Sequence, residues 1–117
     1  EIGLRNTLNS ISKSIRPYIN IIVVNDGNGL NYSTIKKEYP YIYYYELEKN
    51  SGPGMARQYG LDHSNGTYVV FLDTGDLFIP GGDKIILNTI RNNFFYDMYC
   101  WGFYDKITGR PVKLQNQ

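Results

Sequence analysis

At 117 residues, with 42% apolar and 20% charged residues, the chain reads as one soluble globular domain, long enough for a modest core but small for an enzyme with two substrates. A net charge of +1 excludes the strong basic field of a nucleic-acid binder, and no stretch approaches the ~20 apolar residues of a membrane span. The single cysteine, Cys100, excludes an internal disulfide and a cysteine-based zinc site, and reads as a buried structural thiol with only the sequence-distant His63 as a histidine.

Leu4, Leu8, Ile11 and Ile15 recur at helical spacing and predict an amphipathic helix over residues 3–15, ended by Pro17. The β-branched run INIIVVN over residues 19–25 predicts a strand buried on both faces, as in a parallel sheet. DGNGLN breaks it, and a short helix follows over 33–39, with Ser33 as its cap and Pro40 beyond its end. YIYYYEL over 41–47 is the next strand. Most of the 12 tyrosines are expected to pack their rings and keep a wet hydroxyl end. EKNSGPG (48–54) reads as a loop, 55–63 as a short helix, and GTYVVFLD (66–73) as a third strand running into a turn with Asp73 and Asp76. Residues 82–92 read as a helix, DMYCWGFYD (97–105) as a strand, and ITGRPVKL as a turn with a final strand or tail.

Alternating strands and helices with buried strands predict an α/β domain with a mainly parallel sheet, whose ligands gather at the carboxyl ends of the strands. That rule selects three loops. Asp26 ends a strand and could accept a hydrogen bond from a nucleobase N–H, while Gly27 and Gly29 let backbone approach a ligand; the same residues also make ordinary turns. NSGPGMARQYG joins a glycine-rich loop, a helix start and Arg57, a combination suited to a phosphate, although it matches neither a P-loop nor a GxGxxG fingerprint. Asp73 and Asp76 lie close together on a tight turn, where two carboxylates repel unless a cation sits between them; a capped turn accounts for them equally well.

The order and spacing of IIVVNDGN, NSGPGMARQYGLDHSNGTYVVFLD and DTGDLFIP resemble the family 2 glycosyltransferases, over residues 4–80. The resemblance implies the GT-A fold, a Rossmann-like nucleotide-sugar-binding domain, with 1–117 as a single domain that is a fragment of a larger glycosyltransferase. It implies that Asp26 contacts the base of a nucleotide-sugar donor, most often uracil, with Gly27 beside it. Arg57 would lie near the diphosphate or base, and Asp73 would contact the ribose or reach a Mn²⁺ or Mg²⁺ ion through water. The family's principal metal ligand falls on Gly75, which has no side chain, leaving Asp76 as the carboxylate that would take over metal binding.

Two further departures concern the extent of the chain. The family's first strand would precede Glu1, so the sheet is expected to lack it. The acceptor-binding half and the general base would lie further on; Asp97 and Asp105 match no motif there, so no catalytic residue is assigned. The reading is the donor-binding part of a glycosyltransferase that moves a sugar from a UDP-sugar to a saccharide or other hydroxyl acceptor. Its setting would be cytoplasmic, with membrane association left to the full-length protein. The rival reading is a non-catalytic binding or assembly module that keeps the fold; a nucleotidyltransferase ranks lower, because its glycine- and lysine-rich start is not visible.

Overall fold

A computed structural model describes residues 2–27 and 32–92 (Ser33 by its backbone alone) together with the backbone of 103–104 and 111–112. It divides into two compact units, Glu1–Ile85 and Ile86–Gln117. Cys100, Asp97, Asp105 and Gly29 lie outside the described residues, as do most of the strand expected over 97–105 and the ends of ITGRPVKL.

The first helix, α1 (Ile2–Asn9), is shorter than its apolar spacing predicts. It stops before Ser12 rather than at Pro17, and Pro17 instead sits inside a 3₁₀ helix over Lys13–Tyr18. The cause is a long-range contact. The backbone N–H and hydroxyl of Ser12 both donate to the buried carboxylate of Asp83, the hydroxyl at 2.9 Å, which holds Ser12 extended at φ −67°, ψ 135°. The second helix, α2 (Ser33–Glu38), forms where expected and places Ile35 at the centre of the core. Tyr39 ends it just before Pro40, at φ −123°, ψ 71°, outside the helical region that a following proline disfavours. The Lys36 ammonium donates to the Pro40 and Ile42 carbonyls, closing the turn that leads into the next strand.

Strand β1 (Ile22–Asn25) pairs in parallel with β2 (Tyr43–Glu46), with Val23 opposite Tyr44 and Asn25 opposite Glu46. A parallel pair needs a crossover, and α2 supplies it. Val23 joins Leu8, Ile35, Tyr39 and Ile42 in the core under α1 and α2. On the other face, Val24 meets the third helix, α3 (Pro53–Asp62), where Gly60 would bring a Cβ to 3.5 Å of a Val24 methyl. Helices therefore cover both faces of β1, as an α/β layer arrangement requires. Tyr39 shows the expected pattern of a packed ring with a bonded hydroxyl, donating to Asn9 Oδ1 at 2.9 Å.

The expected third strand is not a strand. Residues 66–73 run without ladder pairing, and Val69, Val70 and Phe71 are 40%, 52% and 51% exposed. Apolar, β-branched side chains suit a strand, but a strand exists only when a neighbour takes its backbone hydrogen bonds. Here the segment is held at its ends by side chains: Asn20 donates to Asn65 at 3.0 Å, and Arg57 reaches Asp73. Helix α3 begins two residues earlier than expected because Pro53 takes the first helical position, where its missing N–H costs nothing. The last helix, α4 (Gly82–Asn92), has the predicted bounds. In the second unit, β3 (Phe103–Tyr104) pairs antiparallel with β4 (Pro111–Val112).

Candidate functional site

The loop after β1 is fixed from beneath. The Asn25 side-chain oxygen accepts from the Gly27 N–H at 3.2 Å, and its amide nitrogen donates to the Tyr44 hydroxyl at 3.2 Å. Tyr44 donates onward to Glu46 at 3.0 Å. Burial pushes the Tyr44 phenol above its ordinary value; the Asn25 hydrogen bond opposes that shift and Glu46 adds to it. Gly27 takes φ +70°, and a Cβ there would lie 2.5 Å from the Lys49 carbonyl carbon. Only glycine meets both demands, a left-handed backbone and a close approach to the neighbouring loop.

Asp26 leans on that same loop. Its carboxylate accepts from the Ser51 N–H at 3.4 Å, joining the end of β1 to the glycine-rich entry of α3. Asn50 orders this entry by accepting from the Gly52 N–H at 3.1 Å, and Gly52 caps the helix at φ +90°. With proline at the first position, the following N–H groups of α3 face outward with the positive end of the helix dipole.

Arg57, one turn into α3, donates from a single nitrogen, Nη2, to both carboxylate oxygens of Asp73, at 2.9 and 3.1 Å. Both side chains are open to solvent. The turn that follows is anchored on α1 rather than on its own acids. The Thr7 hydroxyl accepts from the Gly75 N–H at 2.9 Å and lies 2.9 Å from the Asp76 carbonyl and 3.0 Å from that of Gly3. The Ser10 hydroxyl accepts from the Phe78 N–H at 3.2 Å. Asp76 closes the turn through its backbone, its N–H donating to the Asp73 carbonyl at 3.0 Å.

Of the predicted residues, Asp26 and Gly27 thus meet the α3 entry, and Arg57 meets Asp73. The carboxylate of Asp76 has no hydrogen-bond or ion-pair partner among the described residues. Thr7, Ser10 and Asn25 were not singled out by sequence; the one available signal was a pair of hydroxyl residues on an otherwise amphipathic helix. His63 is structural, stacked on Tyr59 with ring centroids 4.0 Å apart at the end of α3. A cavity of about 240 Å³ opens between residues 47–51 and the outer side of α3 at Met55 and Tyr59, but Asp26, Arg57 and Asp73 do not line it. Among the described residues there is no group of three or more histidine, cysteine or acidic side chains placed to hold a metal ion.

The family model described as Glycosyl transferase family 2 matches residues 2–116. The chain belongs to glycosyl transferase family 2. The domain is similar to the glycosyltransferase GlyA of Streptococcus pneumoniae serotype 4, at 40% identity over 97% of this chain and 19% of that protein. It is 35% identical to the minor teichoic acid biosynthesis protein GgaB of Bacillus subtilis, over 75% of this chain and 10% of that one. An uncharacterized glycosyltransferase of Rickettsia bellii is 32% identical over 80% of this chain and 15% of its own length. This family 2 domain therefore spans between 10% and 19% of these three relatives. No solved structure matches it significantly. Its α/β class and parallel strand pair agree with the family assignment. Among the described residues, no helix is long and apolar enough to cross a membrane.

Proposed function

We propose that this domain is the donor-binding part of a glycosyltransferase that moves a sugar from a nucleoside diphosphate sugar, a UDP-sugar, to a saccharide or other hydroxyl acceptor. The observation that carries this reading is the bond between Asp26 and Ser51, which joins the end of a parallel strand to the glycine-rich entry of the helix bearing Arg57. Asp26 offers a carboxylate oxygen to the uracil N–H, and Gly27 keeps the loop low enough for the base to approach. The start of α3 and Arg57 face the diphosphate, whose growing negative charge they offset as the anomeric carbon–oxygen bond breaks. The acceptor hydroxyl attacks the anomeric carbon, and its proton goes to a general base to which no residue is assigned.

Titrating the full-length protein with UDP and UDP-sugars by calorimetry tests this reading. Saturable binding is expected, and Asp26→Asn should weaken UDP by at least about tenfold, the scale of a lost charge-assisted hydrogen bond. Absence of heat with every nucleotide would refute it. Gly75, which puts no side chain at the family's metal position, favours one other reading, a non-catalytic binding module. Binding of UDP-sugar without transfer to any hydroxyl acceptor by the full-length protein would select that module.

A further inference from the structure

We propose that the domain meets the donor diphosphate with a fixed organic cation, the Arg57 guanidinium oriented by Asp73, and uses no divalent metal ion at this site. The inference rests on the nucleotide-sugar reading above and narrows it.

Three observations carry it. First, Asp73, the leading acid of the turn, is already engaged: both its oxygens accept from Arg57 Nη2. A divalent ion on that carboxylate would sit within a few ångströms of the guanidinium, and two cations sharing one carboxylate repel. Second, Gly75 suits the shape of the turn. It sits at φ +94°, a backbone state that side-chain-bearing residues rarely adopt, and its N–H is held by the buried Thr7 hydroxyl. An aspartate at this position would carry the strain of that backbone state. Third, only the Asp76 carboxylate then remains, and a hard cation held by a single protein carboxylate depends on water and substrate for the rest of its shell. The described residues therefore offer a metal one free carboxylate and no group of three or more acidic, histidine or cysteine side chains.

Arg57 fits the same task well. Pairing with Asp73 uses the two N–H groups of Nη2 and leaves Nε and Nη1 with three more, in the planar fork that suits phosphate oxygens. The side chain leaves α3 one turn from its N-terminus, so its charge adds to the helix dipole at one place. Asp73 is the positioning residue: it holds the guanidinium plane while the free edge turns to the ligand.

The test is calorimetric titration of the full-length protein with UDP, in EDTA and in Mn²⁺, using the wild type, Arg57→Ala, Arg57→Lys and Asp73→Asn. The wild type should bind equally, within about twofold, in both buffers, and Arg57→Ala should weaken binding at least about tenfold in both, as expected for losing a charge-assisted contact. Arg57→Lys should fall between them, because it keeps the charge and loses the fork. Asp73→Asn should weaken UDP binding in both buffers without creating a need for Mn²⁺. Mn²⁺ alone should give no saturable heat with the wild type. UDP binding that vanishes in EDTA and returns with Mn²⁺ overturns the inference and leaves the donor reading standing, as does stoichiometric Mn²⁺ binding that Asp73→Asn abolishes. A wild type that binds no nucleotide in either buffer removes the donor reading itself, and this inference with it.

Discussion

Two glycines with positive φ illustrate how differently the same residue can be constrained. At Gly27 a Cβ would strike the Lys49 backbone at 2.5–2.8 Å, whereas at Gly75 a Cβ would meet nothing within 4 Å. Gly75→Ala therefore carries only the conformational cost of a left-handed residue, about 1–2 kcal/mol. Gly27→Ala carries that cost plus displacement of the 48–51 loop, so it should lower the urea midpoint further. It should also weaken UDP binding, because Ser51 moves with Lys49. Equal midpoints for the two variants would mean that the loop moves aside freely.

At the scale of elements, the turn of Asp73–Asp76 borrows its rigidity from α1. Thr7 is 6% exposed, and its hydroxyl serves the Gly75 N–H from a distance of 68 residues in sequence. Thr7→Val keeps the shape and leaves that N–H without an acceptor, for a loss of about 1–3 kcal/mol. Amide exchange at Gly75 should speed up in this variant while exchange in β1 and β2 stays slow. Uniform acceleration would instead point to general loosening of the core. The same dependence on distant partners sets what could be read from the sequence. The strands at Ile22–Asn25 and Tyr43–Glu46 were legible because β-branched and aromatic composition is a local property. Residues 66–73 carry the same chemistry and were misread, since a ladder partner is not a local property. The early end of α1 was hidden for a similar reason: it depends on Asp83. The start of α3 at Pro53 was placed two residues late, because the glycines beside it suggested a longer loop and outweighed proline's preference for the first helical turn. The order of the three loops could be read directly, although the last of them follows no strand, but the Arg57–Asp73 pair and the support from Thr7 could not.

For the whole molecule, alkaline stability follows from the half-buried network beneath the site. Burial raises the Tyr44 phenol from its ordinary value of 10.0, and burial raises Tyr41 as well. A group whose folded value is raised contributes stability that is present below the unfolded value and is lost as pH climbs through the folded one. Stability should thus decline above pH ~10. Tyr44→Phe should flatten part of that decline in pH-dependent urea unfolding, with Tyr41 accounting for another part. An unchanged alkaline slope would show that Tyr44 is no more buried when folded than when unfolded. The Arg5–Glu38 pair, bonded at 2.7 and 2.9 Å, lowers the Glu38 carboxyl and acts in the opposite range, contributing stability that is lost as acid protonates it. It is a surface pair and adds little.

The clasp between Ser12 and Asp83 also bears on how the domain is made. It spans 71 residues, and Asp26, Arg57, Asp73 and Asp76 all lie within that span. During synthesis from the N-terminus, the end of α1 has no carboxylate to bind until Asp83 has left the ribosome. The core partners of Leu8 have emerged by then, but Thr7 has no turn to hold before Gly75 and Asp76 appear. The loop after β1 can be ordered once residues 44–52 are present, whereas the turn of Asp73–Asp76 can be held only after most of the first unit has emerged, which makes it the late-assembling, high-contact-order part of the site.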